Sequence, residues 1–232
     1  MAPRQSFDRA LDNLRDDLLL LGSMTEEAIL ASVDALKNRD LEAARRIMAE
    51  DLNINRKRFQ IEEQCIQLIV TQQPMASDLR TIVAVLHISV DLERMADHAA
   101  SISRINVLIG EQPLLKPLID VPRMAEKATE MLRRSLHALV EQDVEEAQRV
   151  SAEDDIVDAL YDQIYRELVS YMIEDPGTTT QANYLLWVAH DLERIADRAT
   201  NICERVVFLA TGKMTELNVS GPASTDISSA FE

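Results

Sequence analysis

Glycine and proline are scarce in this chain, 5 and 7 residues in 232. So few breakers over such a length argue for long helices. Only two cysteines are present, Cys65 and Cys203, without CxxC spacing. They read as core residues, and that usage fits a reducing cytoplasm. Long apolar runs are missing too. The leucines at 18–21 form a short patch, well below the roughly 18 residues a membrane span needs. The N-terminal stretch MAPRQSFDRALDNLRDD turns polar at once and does not read as a signal peptide. Basic charge is in deficit: 24 Lys and Arg against 40 Asp and Glu give a net charge of −16. Such a surface is repelled by nucleic acid and by anionic headgroups, which excludes both as partners and excludes direct membrane insertion. There is no Gly-rich phosphate loop, no nucleophile elbow and no GxGxxG. What the chain does have is 47% apolar residues. That is enough for a core and too many for a disordered chain.

The periodicity predicts six helices, over about 6–38, 40–71, 77–109, 122–142, 143–174 and 178–212, and an all-α fold. Asp40 and Asp143 stand where helix N-caps belong, and Asp143 has capping-box spacing to Glu146. Gln73-Pro74 and Asp175-Pro176-Gly177 are breaks, and Gly110 suits a helix C-terminus. Gly22-Ser23 falls inside the first helix and reads as a bend. The three prolines of EQPLLKPLIDVP make 111–122 a linker. The tail 213–232 is rich in Ser, Thr and Gly and reads as disordered.

The third and sixth helices repeat each other. DLERMADHAASI at 91–102 and DLERIADRATNI at 191–202 share eight of twelve residues at an offset of 100. Upstream, Asp51 and Asn55 correspond to Asp154 and Asp158 at an offset of 103. The chain therefore divides into two three-helix bundles over 6–110 and 123–212. Short connections make neighbouring helices antiparallel, each near 45 Å long.

Each repeat carries acids four residues apart on one helix face: Glu93 with Asp97, and Glu193 with Asp197. The preceding helix of each unit carries Asp51 with Asn55, and Asp154 with Asp158. Measured from the intervening proline, the paired positions agree to about one helical turn. Each unit is thus expected to gather four oxygen side chains at one level. Like charges so placed repel unless a cation bridges them. An oxygen-only donor set suits Mg²⁺, Ca²⁺, Mn²⁺ or ferric iron. Two other readings stay open: a merely solvated acidic face, and a helix-surface ion ladder in which Arg94 and Arg194 each sit three residues from Asp91 and Asp97, or from Asp191 and Asp197. None of the four histidines stands in Glu-x-x-His, so the ferritin-like di-iron pattern is absent. His190 shares a face with Glu193 and Asp197, but its repeat counterpart is Val90, which favours an ordinary surface role. Trp187 and the nine methionines suit core or interface rather than a cofactor box.

The run 69–80, ending QPMASDLR, followed by DLERMADHAASI, is similar to the first repeat of the PhoU family. YMIEDP from Tyr171 onward, through DLERIADRATNICE, resembles the second repeat. These are accessory proteins of the high-affinity bacterial phosphate transport system, and the resemblance extends from Phe7 to Gly212. It implies two three-helix bundles in pseudo-twofold relation, and often a homodimer. It implies a cytoplasmic negative regulator of phosphate uptake and phosphate-starvation signalling, peripheral to the inner membrane through its partners. Those partners are the ATPase subunit of the phosphate ABC transporter and a phosphate-sensing histidine kinase. By the same resemblance the acidic motifs bind multinuclear iron or zinc. The matching positions are Glu93, Asp97, Glu193, Asp197, Asp154, Asp158 and Asp51, with Asn55 departing from a full carboxylate set. The expected class is a non-enzymatic adaptor. A carboxylate-bridged metal-dependent hydrolase and a plain helical scaffold without metal are the alternatives.

Overall fold

A computed structural model describes residues 3–217. The predicted disorder of the tail falls largely on 218–232, outside the described residues. Among the described residues there is no strand, and the chain is α-helical nearly throughout. Its elements are α1 (Pro3–Asn38), α2 (Leu41–Gln72), α3 (Ala76–Ile109), α4 (Asp120–Glu141), α5 (Val144–Ala152), α6 (Asp154–Glu174) and α7 (Thr179–Thr211). A single 3-10 turn, Pro176–Thr178, separates α6 from α7. No described helix is long and apolar enough to cross a membrane.

The expected punctuation acts as the local chemistry requires. Asp40 accepts a hydrogen bond from Ala43 N at 2.8 Å and opens α2. Its counterpart Asp143 accepts from Glu146 N at 2.9 Å and opens α5. The reciprocal half of the capping box is not made, because the Glu146 carboxylate turns to Arg134 and Arg149. Gly110 and Gly212 close α3 and α7 at φ of 66° and 74°, a region that favours glycine.

Three details differ from expectation. Helix α4 starts at Asp120, two residues early, because Pro122 in a first turn needs no N–H partner. Gly22 lies within one unbroken helix and serves packing: a Cβ there would run into Leu136 Cδ1 of α4. The fifth expected helix is broken at Glu153 into α5 and α6. No Gly or Pro marks that break. Glu153 is instead held sideways by Lys127 and Arg134 of α4, with Arg134 Nη1 at 2.6 and 2.8 Å from its two carboxylate oxygens. The Asp154-Asp155 pair that follows suits the positive end of a new helix.

In the first unit α1, α2 and α3 pack on one another; in the second, α4, the α5–α6 pair and α7 do. The units join along α3 against α7, and α1 against α4, over one continuous core. Helix α3 is buried on several sides, at Ile82, Val85, Ile88, Leu92, Met95 and Ile102 among others, as a central helix must be. The linker is tied down by Gln181 Nε2 donating to Pro113 O at 2.9 Å, and by an ion pair between buried Lys116 and Glu167.

Candidate functional site: two acidic helix faces

The DLER repeats use two faces of one helix for different purposes. Positions 91 and 98, and likewise 191 and 198, are seven residues apart and share a face. That face meets the other unit. Arg198 Nη1 donates to Asp91 Oδ1 at 3.1 Å, and Asn201 Nδ2 reaches the same oxygen at 3.4 Å. His98 Nδ1 lies 2.8 Å from Asp191 Oδ1. Residue 91 thus meets 198 while 98 meets 191, so α3 and α7 run antiparallel about a local pseudo-dyad. Asp91 and Asp191 are therefore not rungs of a surface ladder. The intrahelical alternative holds only in part: Arg194 Nη1 donates to Asp197 Oδ2 at 2.8 Å.

The other face carries Glu93 and Asp97 toward α2. Burial, then the nearby Asp97 carboxylate, push the Asp51 carboxyl above the usual range, against a hydrogen bond from Asn55 and the charge of Arg104. Burial and Asp97 also raise Glu93, with Asp51 adding to them and Arg58 and Arg94 opposing. Asp51, Glu93 and Asp97 are therefore brought together. Asn55 joins them as a donor: its Nδ2 lies 3.0 Å from Asp51 Oδ2. Asp51 Oδ1 is buried without a hydrogen-bond partner. A cavity of about 340 Å³ between α1, α2 and α3 reaches this edge, lined by Glu27, Glu50, Asp51 and apolar residues including Met24 and Ile54.

In the second unit Asp158, Glu193 and Asp197 come together, with more negative charge around them. Burial, then Glu193 and Asp197, then Asp155 and Asp162, all raise the Asp158 carboxyl. Asp154 is almost fully buried at the start of α6. Sequence reasoning set His190 aside and missed Tyr161 and Arg58. His190 Nδ1 lies 2.8 Å from Glu193 Oε2. Tyr161 is held above its ordinary range by burial and Glu193. Arg58 occupies the equivalent place in the first unit, at the offset of 103, and opposes Glu93 there. That offset was the available signal: it pairs a cation in one half with a neutral phenol in the other. Trp187 is more than half exposed, so it is no core residue; it packs on Tyr184 at 5.6 Å. Cys65 and Cys203 are free and buried, and burial pushes both thiols up to about 12.

Among the described residues, no three His, Cys, Asp or Glu side chains lie close enough to hold a metal ion as they stand. The acids are near enough to repel and not converged. Their chemistry nevertheless fits a hard cation: oxygen donors, clustered like charge, and one buried carboxylate oxygen lacking a donor.

The raised carboxyls have a testable sign. A carboxyl whose folded-state pKa exceeds its unfolded value stabilises fully below the unfolded pKa, and that contribution is lost as pH rises through the folded pKa. Asp158→Asn is therefore expected to stabilise chelator-treated protein at pH 7, by roughly 1 kcal/mol or about 2–4 °C in Tm. At pH 4 the gain should disappear. Thermal unfolding at both pH values checks this; a loss of stability at pH 7 would contradict it.

The fold and these faces define a class: tandem antiparallel helical bundles whose duplicated acidic surfaces lie where the second and third helices of each unit meet. Comparison with known proteins gives the family. The PhoU domain matches residues 18–105 and 121–206. A protein of Clostridium acetobutylicum described as a phosphate-specific transport system accessory protein PhoU homolog is 39% identical over 219 residues, 93% of this chain and 99% of that one. The Escherichia coli accessory protein PhoU is 32% identical over 89% of this chain and 86% of its own length. The crystal structure of PhoU from Pseudomonas aeruginosa superposes with a TM-score of 0.85 at 32% identity, covering 89% of this chain and all of that one. The Streptococcus pneumoniae phosphate transport system regulatory protein PhoU gives 0.84 at 30% identity, covering 91% of this chain and all of that one. The chain belongs to the PhoU family.

Proposed function

We propose that this chain is a non-enzymatic accessory protein of a phosphate-specific transport system. In this reading it damps high-affinity phosphate uptake and the phosphate-starvation response, joining the ATPase subunit of the phosphate ABC transporter to a sensor histidine kinase. The names and full-length coverage of its relatives support the transport role. The adaptor and kinase roles follow from the family resemblance.

The mechanistic part rests on one observation: duplicated acidic faces whose carboxyls resist ionisation, at the junctions of α2 with α3 and α6 with α7. Asp51, Glu93 and Asp97 would hold a cation in the first unit, with Asn55 oriented by Asp51. Asp154, Asp158, Glu193 and Asp197 would do so in the second. Iron or zinc is the cation the resemblance favours, and Mg²⁺, Ca²⁺ or Mn²⁺ fit the same donors. Bound there, the cation would neutralise the repulsion and fix the helix pair that partners recognise. The second face carries more uncompensated charge and should bind more tightly.

The test is metal content of protein purified without chelator, for wild type, Glu93→Ala and Glu193→Ala, beside repression of a phosphate-starvation reporter. Metal in the wild type that falls in each variant together with repression supports the reading. Equally little metal in all three with equal repression would leave a plain helical scaffold. Turnover of phosphate esters above the Glu193→Ala control would instead favour the hydrolase.

A further inference from the structure

The chain has four tyrosines and one tryptophan, and all five lie on α6 and α7. None of the five is fully buried. Trp187 is 55% exposed and Tyr165 48%. The Tyr161 ring stands 6.5 Å from that of Tyr165 on its own helix and 6.4 Å from that of His190 across on α7. Tyr165 follows Tyr161 by four residues, and Trp187 precedes His190 by three. On antiparallel helices both steps run the same way by about one turn, so Tyr165 and Trp187 stand at one level. Tyr184 supports Trp187 at 5.6 Å. The result is an open shelf of rings beside the second acidic face. Amphipathic aromatics left in water at such density mark a recognition surface.

The internal duplication supplies a control. At the offset of 103 Tyr161 and Tyr165 correspond to Arg58 and Glu62, and at the offset of 100 Tyr184 and Trp187 correspond to Ala84 and His87. The sibling helices α2 and α3 make the same fold with no tyrosine or tryptophan, so packing does not require the shelf. The charges differ as well. Asp155 and Asp162 of α6 stand where α2 carries Leu52 and Phe59. Both acids are exposed, and neither pairs with Arg166 or with any other cation among the described residues. Asp162 is close enough to push both Tyr161 and Asp158 up.

We propose that this shelf is a docking site for an arginine on an exposed segment of a partner protein. Its chemistry selects that occupant. The rings offer π faces to a cation, and Asp162 offers an unpaired carboxylate beside Tyr161 and Tyr165. A guanidinium suits both, because its plane stacks on a ring while its edge forks to a carboxylate. Lysine's ammonium is a point charge without that planar match. Arg194 on α7 does not compete for the place, since it donates to Asp197. The net charge of −16 draws a basic segment toward the surface. A free amino acid would gain little there, because an open shelf does not enclose a small ligand. The remaining contacts come from the chain that carries the arginine.

This inference goes beyond the regulatory reading and does not depend on metal. The probe is tetra-arginine amide, titrated into the full chain in chelator at about 150 mM salt. Trp187 is the single tryptophan, so its fluorescence reports on the shelf directly. A saturable change in its emission is expected, with tetralysine amide weaker by about threefold or more. By calorimetry, Trp187→Leu should weaken tetra-arginine binding by about fivefold or more, and Trp187→Phe should retain most of it. Both variants should keep the far-UV circular dichroism of the wild type, since the side chain is exposed. Asp162→Asn should weaken binding by about threefold or more, while Glu63→Gln, the same charge removed from exposed α2 surface, should change it by less than about twofold. Absence of saturable binding below about 1 mM overturns the proposal. So does tetralysine binding as well as tetra-arginine, or binding indifferent to Trp187→Leu, which would be attraction to the acids alone. Asp162→Asn no weaker than Glu63→Gln overturns it too. Metal content and repression are read separately, so failure here leaves the cation reading standing or falling by its own test.

Discussion

Asp91→Ala is expected to lower unfolding free energy by about 2–3 kcal/mol, somewhat less than the roughly 3–5 kcal/mol of a fully buried pair, since both groups retain some solvent. The loss comes from what is left behind. Arg198 is mostly enclosed between α3 and α7, and its Nε already lacks a partner. Removing Asp91 leaves the guanidinium in that interface with its counter-charge gone. Replacing both partners by leucine should cost less than Asp91→Ala alone, because no unpaired charge then remains buried. Urea unfolding of Asp91→Leu, Arg198→Leu and the double completes the cycle. Additive losses would mean that the pair is not coupled across the interface. Asp191 is the symmetry-related test. It faces His98 instead of an arginine, and its second oxygen is buried without a partner. Asp191→Ala should therefore cost less than Asp91→Ala.

Glu153→Ala should cost about 2–3 kcal/mol, by the same route. This carboxylate collects Lys127 and Arg134 at the kink between α5 and α6. Burial alone would raise its carboxyl, but the hydrogen bonds from Lys127 and Arg134 bring it below the usual range. A lowered pKa in the folded state contributes stability above the unfolded value that is lost as pH falls through the folded value. The gap between Glu153→Ala and wild type should accordingly shrink in acid. The duplication again provides the control. Glu50 is the counterpart in the unbroken α2 and is exposed, so Glu50→Ala should stay within about 0.5 kcal/mol. On the proposed cation reading, Glu153→Ala should also loosen Asp154, the next residue, and so lower metal content more in the second unit than in the first. Equal effects of the two substitutions would mean that the kink does not depend on this network.

Most of the helix pattern is legible in the sequence. Asp40, Asp143, Gly110 and the prolines at 74 and 176 act locally, through caps and missing donors, and local chemistry is written in local sequence. The acidic faces were legible for a related reason: residues four apart share a face, and a duplicated spacing measured from a proline fixes height along an antiparallel partner. The break at Glu153 was hidden because its cause is an acid drawn sideways by two cations from another helix. Gly22 misled in the same way. A helix-interior glycine reads as a bend until the neighbour that needs its missing Cβ, Leu136, is in place. Asp91 and Asp191 looked like rungs beside Arg94 and Arg194, because a sequence presents i,i+3 partners first and cannot show a second helix crossing at seven-residue intervals.

By itself the sequence determined an all-α chain of two homologous trios and the positions of their paired acids. Periodicity, capping and repetition are properties of a single strand of text. The tertiary structure alone decided that α3 and α7 form the seam, and that Arg58 tempers one acidic face while its equivalent Tyr161 brings no charge to the other. Each of those depends on which helix stands opposite, and electrostatics and burial take their sign from the neighbour.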